Sequence, residues 1–199
     1  GVSITTGQYN TLLGGLAGDA LTTPNHNVAV GYSALTADTQ GTSSVAVGRF
    51  ALGAQNFTTA TDVYNVGVGF NAGVAVTTGI KNTLLGARTG TALTAGSENT
   101  VVGRDALFTD TLGSKSVAIG QDTLASQNFT TATDTYNTAV GYGAGLAVTT
   151  GISNVLLGGL AGDALTDADQ RYRVRHTRKP NHSYRSWRFS CSKLYNRNF

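Results

Sequence analysis

The chain has 199 residues, 26 of them Gly and one Cys, with no Met, 13% charged residues and a net charge of +3. That length fits one domain or one stretch of a longer array, and the Val, Leu and Ala content excludes a disordered chain. A single cysteine, Cys191, excludes an intrachain disulfide and a cysteine-cluster zinc site.

The chain opens inside a pattern, at Gly1-Val2-Ser3-Ile4, and reads as a fragment. From there a five-residue unit recurs: Asn or Ser, three mostly apolar residues, then Gly. It starts at Asn10, Asn27, Ser44, Asn65, Asn82, Asn99, Ser116, Asn137 and Asn154. The spacings are 17, 17, 21, 17, 17, 17, 21 and 17, which nest in a period of 72. The four extra residues fall in Asn56-Phe57-Thr58-Thr59-Ala60-Thr61-Asp62, a string repeated as Asn128-Phe129-Thr130-Thr131-Ala132-Thr133-Asp134. Seventeen residues are too few for a helix pair and suit two short strands with turns. The pattern predicts an all-β fold, a β-solenoid of about nine coils, in which each coil depends on its neighbours for burial. Nine coils at about 4.8 Å give a rod of roughly 4 nm.

In the first strand of each coil, side chains alternate between faces. The position before the Gly is always large and aliphatic: Leu13, Val30, Val47, Val68, Leu85, Val102, Ile119, Val140 and Leu157. These nine are expected to stack as one interior column, with the Val or Thr two residues earlier on the same face. The opposite face then carries Ala and the glycines Gly14, Gly31, Gly48, Gly69, Gly86, Gly103, Gly120, Gly141 and Gly158. Such a face permits close backbone approach, and a second copy of the chain is the expected occupant. A second strand is expected near Ala34-Leu35, Ala51-Leu52, Ala106-Leu107 and Thr123-Leu124. Turns with positive φ are expected at Gly79, Gly96, Gly113 and Gly151. The recurrent Asn is expected to form a ladder between coils.

Chemistry finds little footing. The glycine strings at 67–73 and 141–145 lack the P-loop Lys and a following helix, so they read as solenoid turns. His26 is the one His before the tail and reads as solvated; His176 and His182 lie in the tail. Asp19, Asp62, Asp134 and Asp163 recur with the repeat and read as turn caps rather than calcium ligands; Asp110 reads as exposed. No Ser or Thr has a recognisable His and Asp partner. The expectation is a non-enzyme without catalytic residues, cofactor or metal. No apolar run is long enough to span a bilayer.

After residue 169 the character changes. Residues 1–169 hold five Lys/Arg and eleven Asp/Glu, a net −6, whereas residues 170–199 hold nine Lys/Arg and no acid, a net +9. The last Gly is Gly162, and the one Trp, Trp187, lies in the tail. One reading is a basic arm for an anionic partner, beginning at Arg171-Tyr172-Arg173-Val174-Arg175. The preferred reading is the next repeat translated out of frame. Shifted by one nucleotide, the codons from Arg188 to Phe199 permit a coil matching residues 51–61 in all but the third position. That coil arrives seven residues early against the 72-residue period, and a net loss of about twenty nucleotides would produce both the shift and the early arrival. The solenoid domain is therefore set at 1–169, and residues from about 170 on are expected not to continue it.

Ser116-Val117-Ala118-Ile119-Gly120 and Ser44-Val45-Ala46-Val47-Gly48 resemble the head repeat of YadA-like trimeric autotransporter adhesins, a left-handed parallel β-roll. Asn137-Thr138-Ala139-Val140-Gly141-Tyr142, with the Thr-Thr-Gly turns, is more similar still to repeat arrays of bacteriophage tail-fibre proteins. The resemblance covers about residues 1–166, and the coils here are longer than the usual adhesin coil. It implies a homotrimer, with small-residue faces at the axis, in a structural fibre that attaches to a host surface receptor or glycan. The implied location is the virion or the extracellular space, alternatively a bacterial cell surface. An ice-binding solenoid is the alternative from another class; it calls for a Thr-x-Thr column on every coil. A nucleic-acid-binding protein acting through the basic tail is a third.

Overall fold

In a computed structural model, which describes residues 1–174, the chain is a parallel β-solenoid with no helix among the described residues. One strand recurs per coil: β1 (Thr11–Leu13), β2 (Val28–Val30), β4 (Val45–Val47), β6 (Val66–Val68), β7 (Thr83–Leu85), β8 (Thr100–Val102), β10 (Val117–Ile119), β12 (Thr138–Val140), β13 (Val155–Leu157) and β14 (Tyr172–Val174). They form one ten-stranded sheet in that order. Every pairing is parallel, and partners are 17 or 21 residues apart, as in Leu85 with Val102 and Val47 with Val68. The remaining strands are short pairs in the long coils: β3 (Gly41–Thr42) with β5 (Thr61–Asp62), and β9 (Gly113–Ser114) with β11 (Thr133–Asp134).

From β2 to β13 the middle residue of each main strand is buried, whereas that of β14, Arg173, is exposed. Ala29, Ala46, Leu84, Val101, Ala118, Ala139 and Leu156 are fully buried. Across the interior lie Leu35, Leu52, Leu107 and Leu124, also fully buried. In five of the coils side-chain sizes complement one another. Ala29, Ala46 and Ala118 share a coil with Leu35, Leu52 and Leu124, whereas the larger Leu84 and Leu156 share a coil with Gly90 and Gly162. A Cβ on Gly162 would approach Leu156 Cδ2 to 2.8 Å, and one on Gly90 would approach Leu84 Cδ2 to 3.1 Å. In other coils both places are small, as with Gly67 and Gly73 or Ala139 and Gly145, and leucines of adjoining coils fill the space: a Cβ on Gly67 would lie 2.8 Å from Leu52 Cγ, and one on Gly145 2.8 Å from Leu124 Cδ2 and Leu156 Cδ1.

This arrangement reverses the two faces expected from the sequence. Leu13, Val30, Val47, Val68, Leu85, Val102, Ile119, Val140 and Leu157 do stack in register, but on the outside. They are half-buried, apart from Leu13 and Ile119, which are exposed at 66% and 37%. The reason is volume: the coil is narrow, and its strand positions face opposing leucines that leave room for Ala in several coils.

The glycines Gly14, Gly31, Gly48, Gly69, Gly86, Gly103, Gly120 and Gly141 are close-packed on the backbone of the next coil, and Gly158 continues their column. All nine have positive φ, between 109° and 135°. A Cβ on Gly103, for instance, would lie 2.5 Å from the carbonyl carbon and oxygen of Gly120 in the next coil. The expected second strand is also corrected. Leu35, Leu52, Leu107 and Leu124 lie in turns with φ of 49–53°, though their backbones still bond coil to coil, as Leu35 N–H does to Ala51 O at 3.0 Å. Gly79, Gly96, Gly113 and Gly151 are not at positive φ. They are glycine because a Cβ would meet a carbonyl of the next coil, or Asp110 in the case of Gly113. The left-handed corner belongs instead to the residue before each Asn, such as Tyr64, Lys81 and Tyr136.

The boundary at 169 moves outward. Tyr172–Val174 pairs in register with Val155–Leu157, and Arg171 N–H donates to Asn154 Oδ1 at 2.9 Å. A strand is held largely by backbone bonds, so the ladder accepts Tyr-Arg-Val where earlier coils have Val-Leu-Leu. Residues 175–199, with the rest of the expected basic tail, lie outside the described residues.

Candidate functional site

Three surface features follow from this backbone. The first is the outer face of the ten-stranded sheet. Its two columns are Thr or Val at the first strand position and Val, Leu or Ile at the third, from β1 to β13. No charge interrupts either column over these nine strands. Aromatic and cationic side chains rim the sheet. Tyr32, Phe70 and Tyr142 are exposed just after the recurrent Gly, and the Arg49 guanidinium lies 4.5 Å from the Phe50 ring centroid and 5.6 Å from that of Phe70. On the other rim Tyr9 stacks on His26 at 5.1 Å. Arg88 meets Asp105 through two contacts, Nε–Oδ1 at 2.6 Å and Nη2–Oδ2 at 2.7 Å.

The second feature is a rank of threonines on another side. Thr22, Thr77, Thr94 and Thr149 each donate the hydroxyl to the carbonyl of the Thr one coil on, at 3.0–3.3 Å. Asn56 and Asn128 hold the equivalent places in the long coils, where Thr39 and Thr111 donate to their Oδ1.

The third feature is the pair of four-residue insertions, which form surface bulges within residues 56–62 and 128–134. A buried polar clamp holds each one. Asp38 Oδ1 accepts from Gly41 N–H and Phe57 N–H, both at 3.0 Å, while Oδ2 accepts from Gln55 Nε2 at 2.6 Å. The same Nε2 donates to Ser44 Oγ at 2.9 Å, and Gln55 Oε1 accepts from Asn65 Nδ2 at 2.9 Å. Asp110, Gln127, Ser116 and Asn137 repeat the arrangement. Gln therefore fills the place left where the Asn ladder changes to Ser44 and Ser116. Asp110 is fully buried, contrary to the exposure expected of it.

The ladder itself works through the backbone. Each Asn Oδ1 accepts the next coil's N–H, as Asn82 Oδ1 does from Asn99 N at 3.0 Å, and each Nδ2 donates to a turn carbonyl. Asp62 and Asp134, expected as turn caps, bond side chains instead. Asp62 Oδ1 accepts from Thr42 Oγ1 at 2.8 Å, and Asp134 Oδ2 from Lys115 Nζ at 2.6 Å and Tyr136 OH at 3.1 Å. The turn-capping aspartates are Asp38 and Asp110, whose sequence signal is their 72-residue separation and their place three residues before a Gly.

Lys115 holds the Asp134 carboxyl below the usual carboxylate range, chiefly by that hydrogen bond, and Lys115 is itself raised by it. Among the described residues, no group of three or more His, Cys, Asp or Glu side chains could hold a metal ion. His26 stacks on Tyr9. No described helix is long and apolar enough to cross a membrane. No family model, no curated protein and no solved structure matches this chain.

Proposed function

We propose that the chain is a non-enzymatic segment of an extracellular attachment fibre, of the kind found in phage tail fibres, assembled as a homotrimer through the outer face of its ten-stranded sheet. The observation that carries this reading is that face: nine successive strands present aliphatic or threonine side chains outward, without a charge, over about 38 Å. A continuous apolar surface rimmed by aromatic and Arg side chains has the composition of a protein interface. The occupant that fits it is an identical face, because two such faces share the same coil-to-coil spacing. The number of copies, three, and the fibre context come from the resemblance of the strand motif. The Ala positions of the small-residue face are buried inside each chain and its glycine column packs coil on coil, so the interface is assigned to the aliphatic columns instead.

An ice-binding role has less support. The hydroxyls of the Thr rank are already given to carbonyls, and the bulges break the flatness of that side every four coils. The sheet face, for its part, carries Leu, Val or Ile throughout its second column.

The test is attachment itself. Immobilised full-length protein is exposed to a panel of intact bacterial strains. Retention of particular strains, and not of all or none, is the expected result; retention of none by a folded, assembled protein would overturn the attachment reading.

A further inference from the structure

The 72-residue repeat lets the chain be compared with itself. Thirteen positions are exposed in both the copy at 1–72 and the copy at 73–144. Six belong to the bulge and its corner, and all six are identical: Asn56 and Asn128, Thr58 and Thr130, Thr59 and Thr131, Ala60 and Ala132, Asp62 and Asp134, Tyr64 and Tyr136. Of the seven elsewhere, five differ: Tyr9 and Lys81, Thr23 and Ala95, His26 and Glu98, Tyr32 and Arg104, Phe70 and Tyr142. The two that agree are Thr5 with Thr77 and Thr6 with Thr78. Thr77 sits directly against the first bulge, where its carbonyl accepts from Asn56 N–H at 3.1 Å, and Thr149 meets Asn128 N–H in the same way at 3.0 Å. The surface that has stayed the same is therefore one patch, repeated: the bulge, its tyrosine corner, and the Thr-Thr of the coil stacked on it.

Folding does not account for that identity. The buried clamp explains why Gln55, Phe57 and Asn65 recur, but Thr58, Thr59, Ala60, Asp62 and Tyr64 are exposed and fill no interior space. A buried position of the same segment has meanwhile changed, Val63 to Thr135. Exposed loop residues held constant on a drifting scaffold point to recognition.

We propose that these two patches are binding sites for a neutral glycan. Each offers hydroxyls that both donate and accept, an Asn amide, a carboxylate acceptor and a half-exposed tyrosine ring, at 53% for Tyr64 and 54% for Tyr136. Polyol hydroxyls match the first three, and the C–H face of a sugar matches the ring. The patches contain no Arg or Lys of their own, and the neighbouring Lys115 is tied to Asp134, so a carboxylated or sulfated sugar gains no cation and meets Asp62 or Asp134. The sites lie four coils apart, about 19 Å at the strand spacing, so one chain of a repeating polysaccharide can engage both and gain avidity. The two are not equal. Lys115 Nζ lies 5.4 Å from the Tyr136 ring centroid, whereas the equivalent residue beside Tyr64 is Ser43; the first site presents the freer ring. This inference rests on the attachment reading for its biological setting, but not for its binding chemistry.

The experiment uses full-length protein on an array of immobilised neutral, sialylated and sulfated oligosaccharides, with three variants: Tyr64→Ala/Tyr136→Ala, Asp62→Asn/Asp134→Asn, and Thr23→Ala as a control at a drifted position away from the rims of the sheet. Wild type and the control are expected to retain a subset of the neutral glycans. Both bulge variants should bind them about tenfold more weakly, the factor expected for loss of one stacked ring or charged acceptor per site. Circular dichroism should be unchanged. Retention of no neutral glycan, equal retention by wild type and the bulge variants, or an equal loss in the control would overturn the proposal. Adhesion to bacterial cells separates it from the attachment reading. Adhesion that survives periodate oxidation of surface sugars but not protease treatment would indicate a protein receptor, and would overturn the glycan sites while leaving attachment intact. Adhesion to no cells would remove attachment, and the array alone would then decide the glycan sites.

Discussion

Gln127 Nε2 donates to Asp110 Oδ2 at 2.6 Å, with both side chains fully buried. Among the described residues the carboxylate forms no ion pair; its other oxygen takes Gly113 N–H at 3.1 Å and Phe129 N–H at 3.0 Å. Gln127 cannot turn over, because its Oε1 accepts from Asn137 Nδ2 and its Nε2 also donates to Ser116 Oγ. Asp110→Asn would thus face one NH2 with another. The expected cost is about 1–3 kcal/mol, from a buried donor left unpaired. Chemical denaturation should show it, and should show a change within about 0.5 kcal/mol for the exposed Asp62→Asn. Equal tolerance of the two would mean that the clamp does not hold the long coil.

Leu84 and Leu85 are neighbours on β7 with opposite roles. Leu84 is fully buried opposite Gly90, so Leu84→Ala opens a cavity and should cost about 2–5 kcal/mol. Leu85→Ala removes outward surface, and should lower the stability of a single chain far less while weakening assembly. Unfolding measured over a range of protein concentrations separates the effects. The reverse ranking at low concentration would restore the inward reading of the Leu85 column.

Gly103 has φ of +127° and no room for a Cβ beside Gly120. Gly103→Val should destabilise the chain itself, by about 1–3 kcal/mol from the backbone conformation alone and more from the contact. A variant that keeps wild-type stability and changes only its mass in solution would return this glycine to an interface between chains.

The repeat spacing was enough to set the register: residues 17 or 21 apart in sequence are partners in the ladder, and the turns had to fall between them. The direction of each face was not legible from the strand motif. In Val45-Ala46-Val47-Gly48, alternation assigns Ala46 and Val47 to opposite sides without saying which side is inside. The larger residue is the usual choice for a core, and here that choice fails, because Leu52 already occupies the space in front of Ala46. The clue was present at longer range, in the exchange of Ala46 with Leu52 for Leu84 with Gly90. The polar clamp escaped for a similar reason. A carboxylate buried without an ion pair is uncommon, so Asp110 reads as a surface residue until Gln127 is seen one coil away. The bulges were visible as an insertion of four residues, but the likeness of their exposed residues meant little until the structure separated exposed positions from buried ones.

The Lys115–Asp134 pair makes a prediction about titration rather than stability, since both groups are well exposed to solvent. A carboxylate lowered in the folded state adds stability above its unfolded pKa, and that contribution is lost as pH falls through the folded value. For the raised lysine the contribution is present below its unfolded pKa and lost as pH rises through the folded one. Lys115→Ser should therefore move the Asp134 midpoint upward, followed by the carboxyl carbon resonance in NMR. A midpoint that does not move would show that the pair does not persist in solution.

The central claim, that the outer sheet face is where copies of this chain meet, is tested most directly by sedimentation equilibrium of the full chain and of Val47→Lys/Val102→Lys. Both residues point outward from the middle of the sheet, so the substitutions leave the interior untouched. The wild-type chain is expected at three times its 20.5 kDa mass, and the variant at 20.5 kDa with an unchanged circular dichroism spectrum. A folded wild-type protein that sediments as a single 20.5 kDa chain, or a variant that stays trimeric with two lysines on that face, would contradict the account.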